Sequence, residues 1–382
     1  MQRRKILKTI LALALILALV MALAACGKKT EEPAQNPTEA KYKIGVNTWG
    51  SGAEAFDWHG DEALYVLNTV FGMEANRVSD EFTPDGTLKN VNNFVSAGVD
   101  GILMTCNQPS VLPTVSGAAA NAKIPFVLGI FVGDPPDRQP LHDSNDFFGG
   151  AAEGNTYDDG YTMGKAALAD GCKTAVILGG NLGDRPIDTR IDGFTLAFQT
   201  EGGGTVLDIA RCDSPAEGLE KATALLSANR DADCIYGMVG DYAPGCLGAM
   251  EALGLTETKV YVSHAGSQTA QYIKEGKIAQ ATGGHDLAMH LAACMLINKL
   301  DGHPILAADG KPVYVEIKPF VLNQSNIDQF IRLFHNWSST GNHVLSPTTL
   351  KNLLWRYNEN VSYKDYEAYN SITLDKLENQ TW

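Results

Sequence analysis

Positive charge is scarce in this 382-residue chain: 30 lysines and arginines face 44 aspartates and glutamates, a net charge of −14. Four of the bases (Arg3, Arg4, Lys5 and Lys8) lie in the first 25 residues, which hold no acid. Taking these four away leaves 26 bases against 44 acids, or −18. A nucleic-acid partner is thereby excluded, because it needs a basic footprint that displaces phosphate counterions. No C-x-x-C pair occurs, and no metal site is expected. Cofactor loops are missing too: ILGGNLGD at 177–184 has neither the G-x-G-x-x-G spacing nor a Walker lysine, and reads as a tight turn. No serine elbow and no acid–base pair suited to catalysis stands out, so neither an enzyme nor a cofactor is expected. Charged residues are only 19% and apolar ones 45%, which excludes disorder over most of the length and suits two domains.

Long apolar runs are also few. One, Ile10–Leu23, has 14 residues, short of the ~20 that a bilayer-spanning helix needs. It follows a basic segment and ends in Leu23-Ala24-Ala25-Cys26-Gly27. That arrangement resembles a bacterial lipoprotein signal. The resemblance implies a signal peptide over 1–25, lipidation of Cys26, and a protein held at the outer face of the cytoplasmic membrane. Residues 26–41 contain no large apolar side chain and read as a flexible tether. Six cysteines remain (Cys106, Cys172, Cys212, Cys234, Cys246 and Cys294), several in apolar contexts such as DCIYG and LAACML. Buried thiols are expected there rather than disulfides.

From Tyr42 onward, short apolar strands alternate with helical patterns. YKIGVNT, VDGILMT and IPFVLGI read as buried strands; LKNVNNFVSA has helical spacing. Such alternation predicts an α/β fold with parallel sheets covered on both faces. Ten or more strands are too many for one open sheet, so two lobes are expected. The segment Gly133–Asn155, rich in Pro, Asp and Gly, reads as a crossing between them. Ligands of open α/β sheets bind beyond the carboxyl ends of the strands, which directs attention to the loops there.

Several motifs in order and spacing resemble the type I periplasmic-binding-protein family, in its ribose-like sugar-binding branch. They are YKIGVNT, FVSAGVDGILMTCNQPS, AAANAKIPFVLGI, TYDDGYTMGKAAL, RPIDTRIDGFTLAF and GLEKATALLSANRDADCIYGMVGD, over about residues 42–322. The resemblance implies two Rossmann-like lobes joined by three segments: 42–147 with 284–312, and 148–283 with 313–322. It implies a solute-binding protein of an ABC importer, with a membrane permease as partner and a small polar ligand, a sugar by preference, clamped by hinge closure. A sensor for a receptor kinase, or a nucleoside-like ligand in place of the sugar, stays open at this stage. Residues 323–382 fall outside the resemblance; their many aromatics predict a segment packed on a lobe.

Site residues follow from the same motifs. Arg190, four residues before Phe194, takes the place of the family's ligand-contacting arginine, with Asp188 beside it as a hydroxyl acceptor or as its anchor. Arg190→Ala is expected to abolish a ligand-induced thermal shift while sparing the unliganded fold. Trp49 and Phe56, with Trp58 nearby, lie in or near the first strand–helix loop, where an aromatic ring suits the apolar face of a pyranose. Asn107 and Gln108 carry amides suited to hydroxyls. Asp241 takes the Asp of an Asn-Asp loop, with Gly240 where the Asn is expected. Three departures bear on the ligand: Ile130-Phe131 replaces Asp-Arg, Ser263-His264-Ala265 replaces Gly-Phe-Asp, and Gly284-His285 stands where a glutamine is expected. Phe131, His264 and His285 therefore predict a more aromatic site than ribose needs. The two histidines are expected to be satisfied polar groups rather than metal ligands.

Overall fold

The computed structural model describes residues 42–52, 54–212, 214–335 and 341–381; the expected signal peptide, Cys26 and the tether lie outside them. Residues 42–382 form one compact unit. Among the described residues no helix is long and apolar enough to cross a membrane.

Two six-stranded α/β layers make up the body. The first sheet contains β1 (Lys43–Thr48), β2 (Glu74–Ser79), β3 (Gly101–Cys106), β4 (Phe126–Val132), β5 (Phe148–Gly154) and β11 (Tyr314–Ile317), in spatial order β11-β5-β4-β3-β1-β2. Its helices are α1 (Glu54–Leu64), α2 (Pro84–Ala97), α3 (Leu112–Ala122), α4 (Pro135–Ser144) and α10 (Leu287–Leu300). The second sheet repeats the pattern with β6 (Thr174–Gly179), β7 (Thr205–Arg211), β8 (Cys234–Gly237), β9 (Lys259–Val262), β10 (Gln280–Gly283) and β12 (Phe320–Leu322), in order β12-β10-β9-β8-β6-β7. Helices α5 (Thr156–Ala169), α6 (Arg185–Thr195), α7 (Gly218–Ala228), α8 (Ala243–Leu253) and α9 (Ser267–Lys274) accompany it. All pairings are parallel except β10 with β12. The six later cysteines are buried thiols, none of them in a disulfide.

The chain passes between the sheets three times, and two expected boundaries move. A boundary at 147 cuts off β5, which pairs with β4 and β11 in the first sheet. FGGAAEG hides this strand because it has no β-branched residue. Its glycines are demanded by packing: a Cβ on Gly149 would stand 2.8 Å from Val127 Cγ1, and one on Gly150 2.7 Å from the Val313 carbonyl. The stretch read as a crossing, Gly133–Asn155, thus contains α4 and β5, and the first crossing comes after Gly154. Residues 313–322 also divide. Tyr314–Ile317 is parallel to β5, and only Phe320–Leu322 joins the second sheet. Pro319, with no N–H to donate, lies between the two strands.

Every residue of α10 from Leu287 to Asn298 is buried. A helix apolar all round must be covered all round, and residues beyond Leu322 supply the second cover. Asn298 Nδ2 donates to the Leu353 carbonyl at 2.8 Å and to Tyr366 Oη at 3.0 Å, and its Oδ1 accepts from Trp355 N at 2.8 Å. Arg356 grips Asp301 through Nε at 2.7 Å. The same extension reaches the second lobe, where Asp328 meets Lys274 at 2.7 Å and Phe330 and Phe334 lie beside Phe320 and Gly283. It therefore spans both lobes, beyond the single lobe expected.

A buried charge cluster ties this extension to the core. Glu62 on α1 meets His290 of α10 at 2.8 Å and His343 of the extension at 3.1 Å. Burial pushes its carboxyl up, but the two histidines outweigh burial and hold it at about 2. Being depressed, this group contributes stability that is present above the ordinary carboxylate range and lost as pH falls toward 2. Glu62→Gln should cost about 2–3 kcal/mol at pH 7, the scale of hydrogen bonds to a charged group. In urea unfolding the gap to the parent chain should narrow below pH 4.5; an equal gap at pH 7 and pH 3 would contradict this role.

Candidate functional site

The carboxyl ends of the parallel strands of both sheets face a common cleft, and the chain passes through it at the three crossings. Helices α5 and α6 pack backbone to backbone at its side. A Cβ on Gly160 would lie 1.9 Å from the Arg190 carbonyl, and one on Gly193 2.2 Å from the Tyr157 carbonyl. This glycine contact, written in TYDDGYTMGK and RIDGF, brings Arg190 against Asp159. The Arg190 Nε–Asp159 Oδ2 distance is 2.9 Å, and both side chains are essentially inaccessible. His285, at the second crossing, stands 2.9 Å from the same carboxylate oxygen. Burial raises the Asp159 carboxyl, yet His285 and Arg190 bring it below the usual range.

The arginine's partner is thus Asp159, not Asp188 or Asp192. Asp188 points away, bound by Arg211 at 2.7 Å and by the Gly183 N–H at 2.9 Å. The structure does not bring Asp188 to the cluster. It also overturns the expectation that Arg190→Ala spares the unliganded fold, since that change strands a buried carboxylate.

Trp49, Asn107 and Phe131 are buried at the cleft on the first-lobe side. Ile130 has φ 66°, a left-handed conformation that a β-branched residue adopts only under constraint. It immediately precedes Phe131, whose ring meets His59 edge-on at 5.8 Å. Phe56 packs edge-on against Phe82 and His59. Trp58 turns instead to the extension, its ring tilted by 35° against His335 at 4.1 Å. From the second lobe, His264 (φ 52°) lays its ring parallel to His59 at 5.0 Å and lies 4.7 Å from His285. Burial, and then the neighbouring His285, keep both His59 and His264 well below the usual imidazole range. Asp241 is raised to about 6 by burial and by Glu54 and Asp57 across the cleft.

The lobes touch along this cleft. The Arg185 N–H donates to the Asn107 carbonyl at 3.3 Å, and the Arg185 side chain meets Asp134 at 2.6 Å. The Ser267 N–H donates to Glu54 Oε2 at 2.9 Å. A cavity of about 20 Å³ remains beside Phe131, Glu153, Arg185 and Thr189. A larger groove of 840 Å³ includes Asp170, Thr258 and Lys259, at the opposite, N-terminal end of the second sheet.

Sequence reading missed Asp159, Asp184, His59 and Asp286. The signal for His59 was present: Ala55, His59, Glu62 and Ala63 form one buried face of α1, so two ionisable residues occupy an apolar stripe. Several buried polar atoms at the cleft have no protein hydrogen-bond partner: Asn107 Oδ1, Asp159 Oδ1, Asp184 Oδ1, Arg190 Nη2, Asp241 Oδ2 and Asp286 Oδ1. Native interiors contain few such atoms, and each calls for a reason.

A sequence profile described as the periplasmic binding protein domain matches residues 49–303. No curated protein matches the chain in sequence. Among solved structures, the 5-methylthioribose transporter solute-binding protein of Thermotoga lettingae TMO aligns with TM-score 0.68 at 16% identity, covering 84% of this chain and 99% of that one. The arabinose ABC transporter periplasmic component of Shewanella sp. ANA-3 gives 0.66 at 16%, covering 76% and 94%. A D-allose-bound solute-binding protein of Actinobacillus succinogenes 130z gives 0.66 at 18%, covering 75% and 99%.

Asp184, beside the Asn107 amide and the Trp49 indole, offers a test of lobe contact. Burial lifts its carboxyl to about 6 against the pull of Arg190, Asn107 and Trp49. The raised value means the fold favours the protonated form. Stability from this group is therefore full below about pH 4 and falls as pH rises through 6. Asp184→Asn mimics the protonated form. It should flatten the melting temperature between pH 4 and 7 and add about 1–3 kcal/mol at pH 7. An unchanged pH slope would show that Asp184 is not held at the lobe contact.

Proposed function

Because the chain belongs to the periplasmic binding protein domain family, we propose that it captures a monosaccharide or similar cyclic polyol between its lobes and presents it to an ABC-type membrane permease. The observation that carries this reading is the set of buried polar atoms without protein partners contributed by both lobes: Asn107 Oδ1 from the first, Asp159 Oδ1, Arg190 Nη2 and Asp241 Oδ2 from the second. Donor and acceptor atoms on opposite jaws suit a molecule with hydroxyls around a ring. Trp49, Phe56 and Phe131 supply flat apolar surface for its C–H face. Solved relatives are described as binding arabinofuranose, D-allose and 5-methylthioribose, all compatible with such a site. The cavity of about 20 Å³ has room for about one water molecule and not for a sugar, so on this reading the solute enters by hinge opening. Delivery requires no bond-making by this chain.

A thermal-shift screen of aldopentoses, aldohexoses, their furanose forms and inositols tests this. A true ligand at 100 times its Kd should add about 2.7 kcal/mol of stability. Arg190→Lys keeps a cation beside Asp159 but removes the planar fork, and should cut the sugar-induced shift at least tenfold in affinity. The reading fails if no sugar or polyol raises the melting temperature.

The anchor is a separate part of the proposal. Lipidation of Cys26 would keep the clamp near its permease and raise its local concentration. Cys26→Ser should move the protein from the membrane fraction to the soluble one with sugar affinity intact. Undiminished membrane retention of that variant would end the anchor reading.

A further inference from the structure

Beside the atoms assigned to the solute lies a second constellation. His59 Nε2 stands 3.4 Å from His264 Nε2 and 3.7 Å from Asp286 Oδ1, and His264 Nε2 lies 4.0 Å from that oxygen. All three residues are buried. We propose that His59, His264 and Asp286 form a transition-metal site, of the zinc class, that pins the closed lobes together.

The spacing fits the chemistry. Zinc bonds of about 2.0–2.1 Å at tetrahedral angles place donor atoms about 3.4 Å apart. The two shorter separations match within a few tenths of an ångström, and the third needs one side chain to move by about half an ångström. Two imidazoles and one carboxylate are a donor set suited to this ion, with the fourth position left to water or to a solute oxygen. A second observation points the same way. Asp286 is 3% exposed, and its Oδ1, the oxygen facing both histidines, has no hydrogen-bond partner. A buried carboxylate oxygen left so is costly unless a cation or a proton takes it. Glu62 and Glu54 add negative charge around Asp286, opposed on the histidine side by Arg190, Arg77 and His285.

The three ligands come from three parts of the clamp. His59 is on α1 of the first lobe, His264 follows β9 of the second, and Asp286 lies at the second crossing. Opening the lobes must separate His59 from His264, so a bound ion would stabilise the closed form by its binding free energy. This site stands on its own donors and does not require that the solute be a sugar.

The test uses the full chain, stripped with EDTA, and zinc sulfate as probe. One zinc per chain should bind with Kd below micromolar, raise the melting temperature, and contract the radius of gyration in small-angle scattering without any sugar. His264→Gln and Asp286→Asn should each weaken zinc at least 100-fold, whereas His303→Gln should not. Should either variant fold poorly, the stoichiometry and contraction of the parent chain decide the matter. Absence of stoichiometric binding, or unchanged affinity in folded His264→Gln and Asp286→Asn, overturns the site. A sugar-induced shift that persists in EDTA while zinc fails would remove the metal site and leave the solute reading intact; zinc binding without any sugar response would do the reverse.

Discussion

The Asp159 carboxylate is the pivot of the molecule. It is fully buried, and such a charge survives only with partners. Arg190 and His285 are those partners, and each comes from a different stretch of chain. Arg190 reaches it because Gly160 and Gly193 let α5 and α6 touch. His285 reaches it because the second crossing runs through the cleft. One ion pair therefore fixes the helix pair, the crossing and the floor of the site. Arg190 Nε is spent on Asp159, while its buried Nη2 has no hydrogen-bond partner.

A second constraint acts from outside. Helix α10 has no solvent face, so its burial depends on residues after the last strand. Asn298 shows how strict this is, with both ends of one amide satisfied by the extension. Glu62 then links α1, α10 and the extension through two histidines. Since Asp328 also meets Lys274 of α9 in the second lobe, the segment contacts both lobes.

The fold was largely legible because buried parallel strands write themselves as continuous apolar runs, as in GILMTC and FVLGIFV. β5 was illegible for the opposite reason: close packing against Val127 and Val313 selects glycine and alanine, which carry no strand signal. The lobe boundary at 313–322 failed because four residues of β11 and three of β12 lie either side of one proline. At the cleft, Trp49, Asn107, Phe131, Arg190, Asp241, His264 and His285 could be named as candidates from their loops and from the family resemblance. The charge partners could not. Asp159 and Asp286 are ordinary helix-end acids in sequence, and only the three-dimensional crossing makes them buried.

The balance between open and closed lobes is decided inside the cleft rather than at its rim. The rim contact between Arg185 and Asp134 involves side chains that are 38% and 37% exposed, and such pairs contribute at most about 1 kcal/mol. The interior terms are larger: each buried polar atom left without a partner costs about 1–3 kcal/mol. Closing on no guest leaves atoms of Asn107, Arg190 and Asp241 without partners, and on the proposed function a hydroxyl-bearing guest would satisfy them. The differential exceeds the rim energy severalfold, and it is the quantity a guest must supply to shift a two-state hinge. On the proposed function, the atoms that would recognise the guest are also those that oppose closure when it is missing.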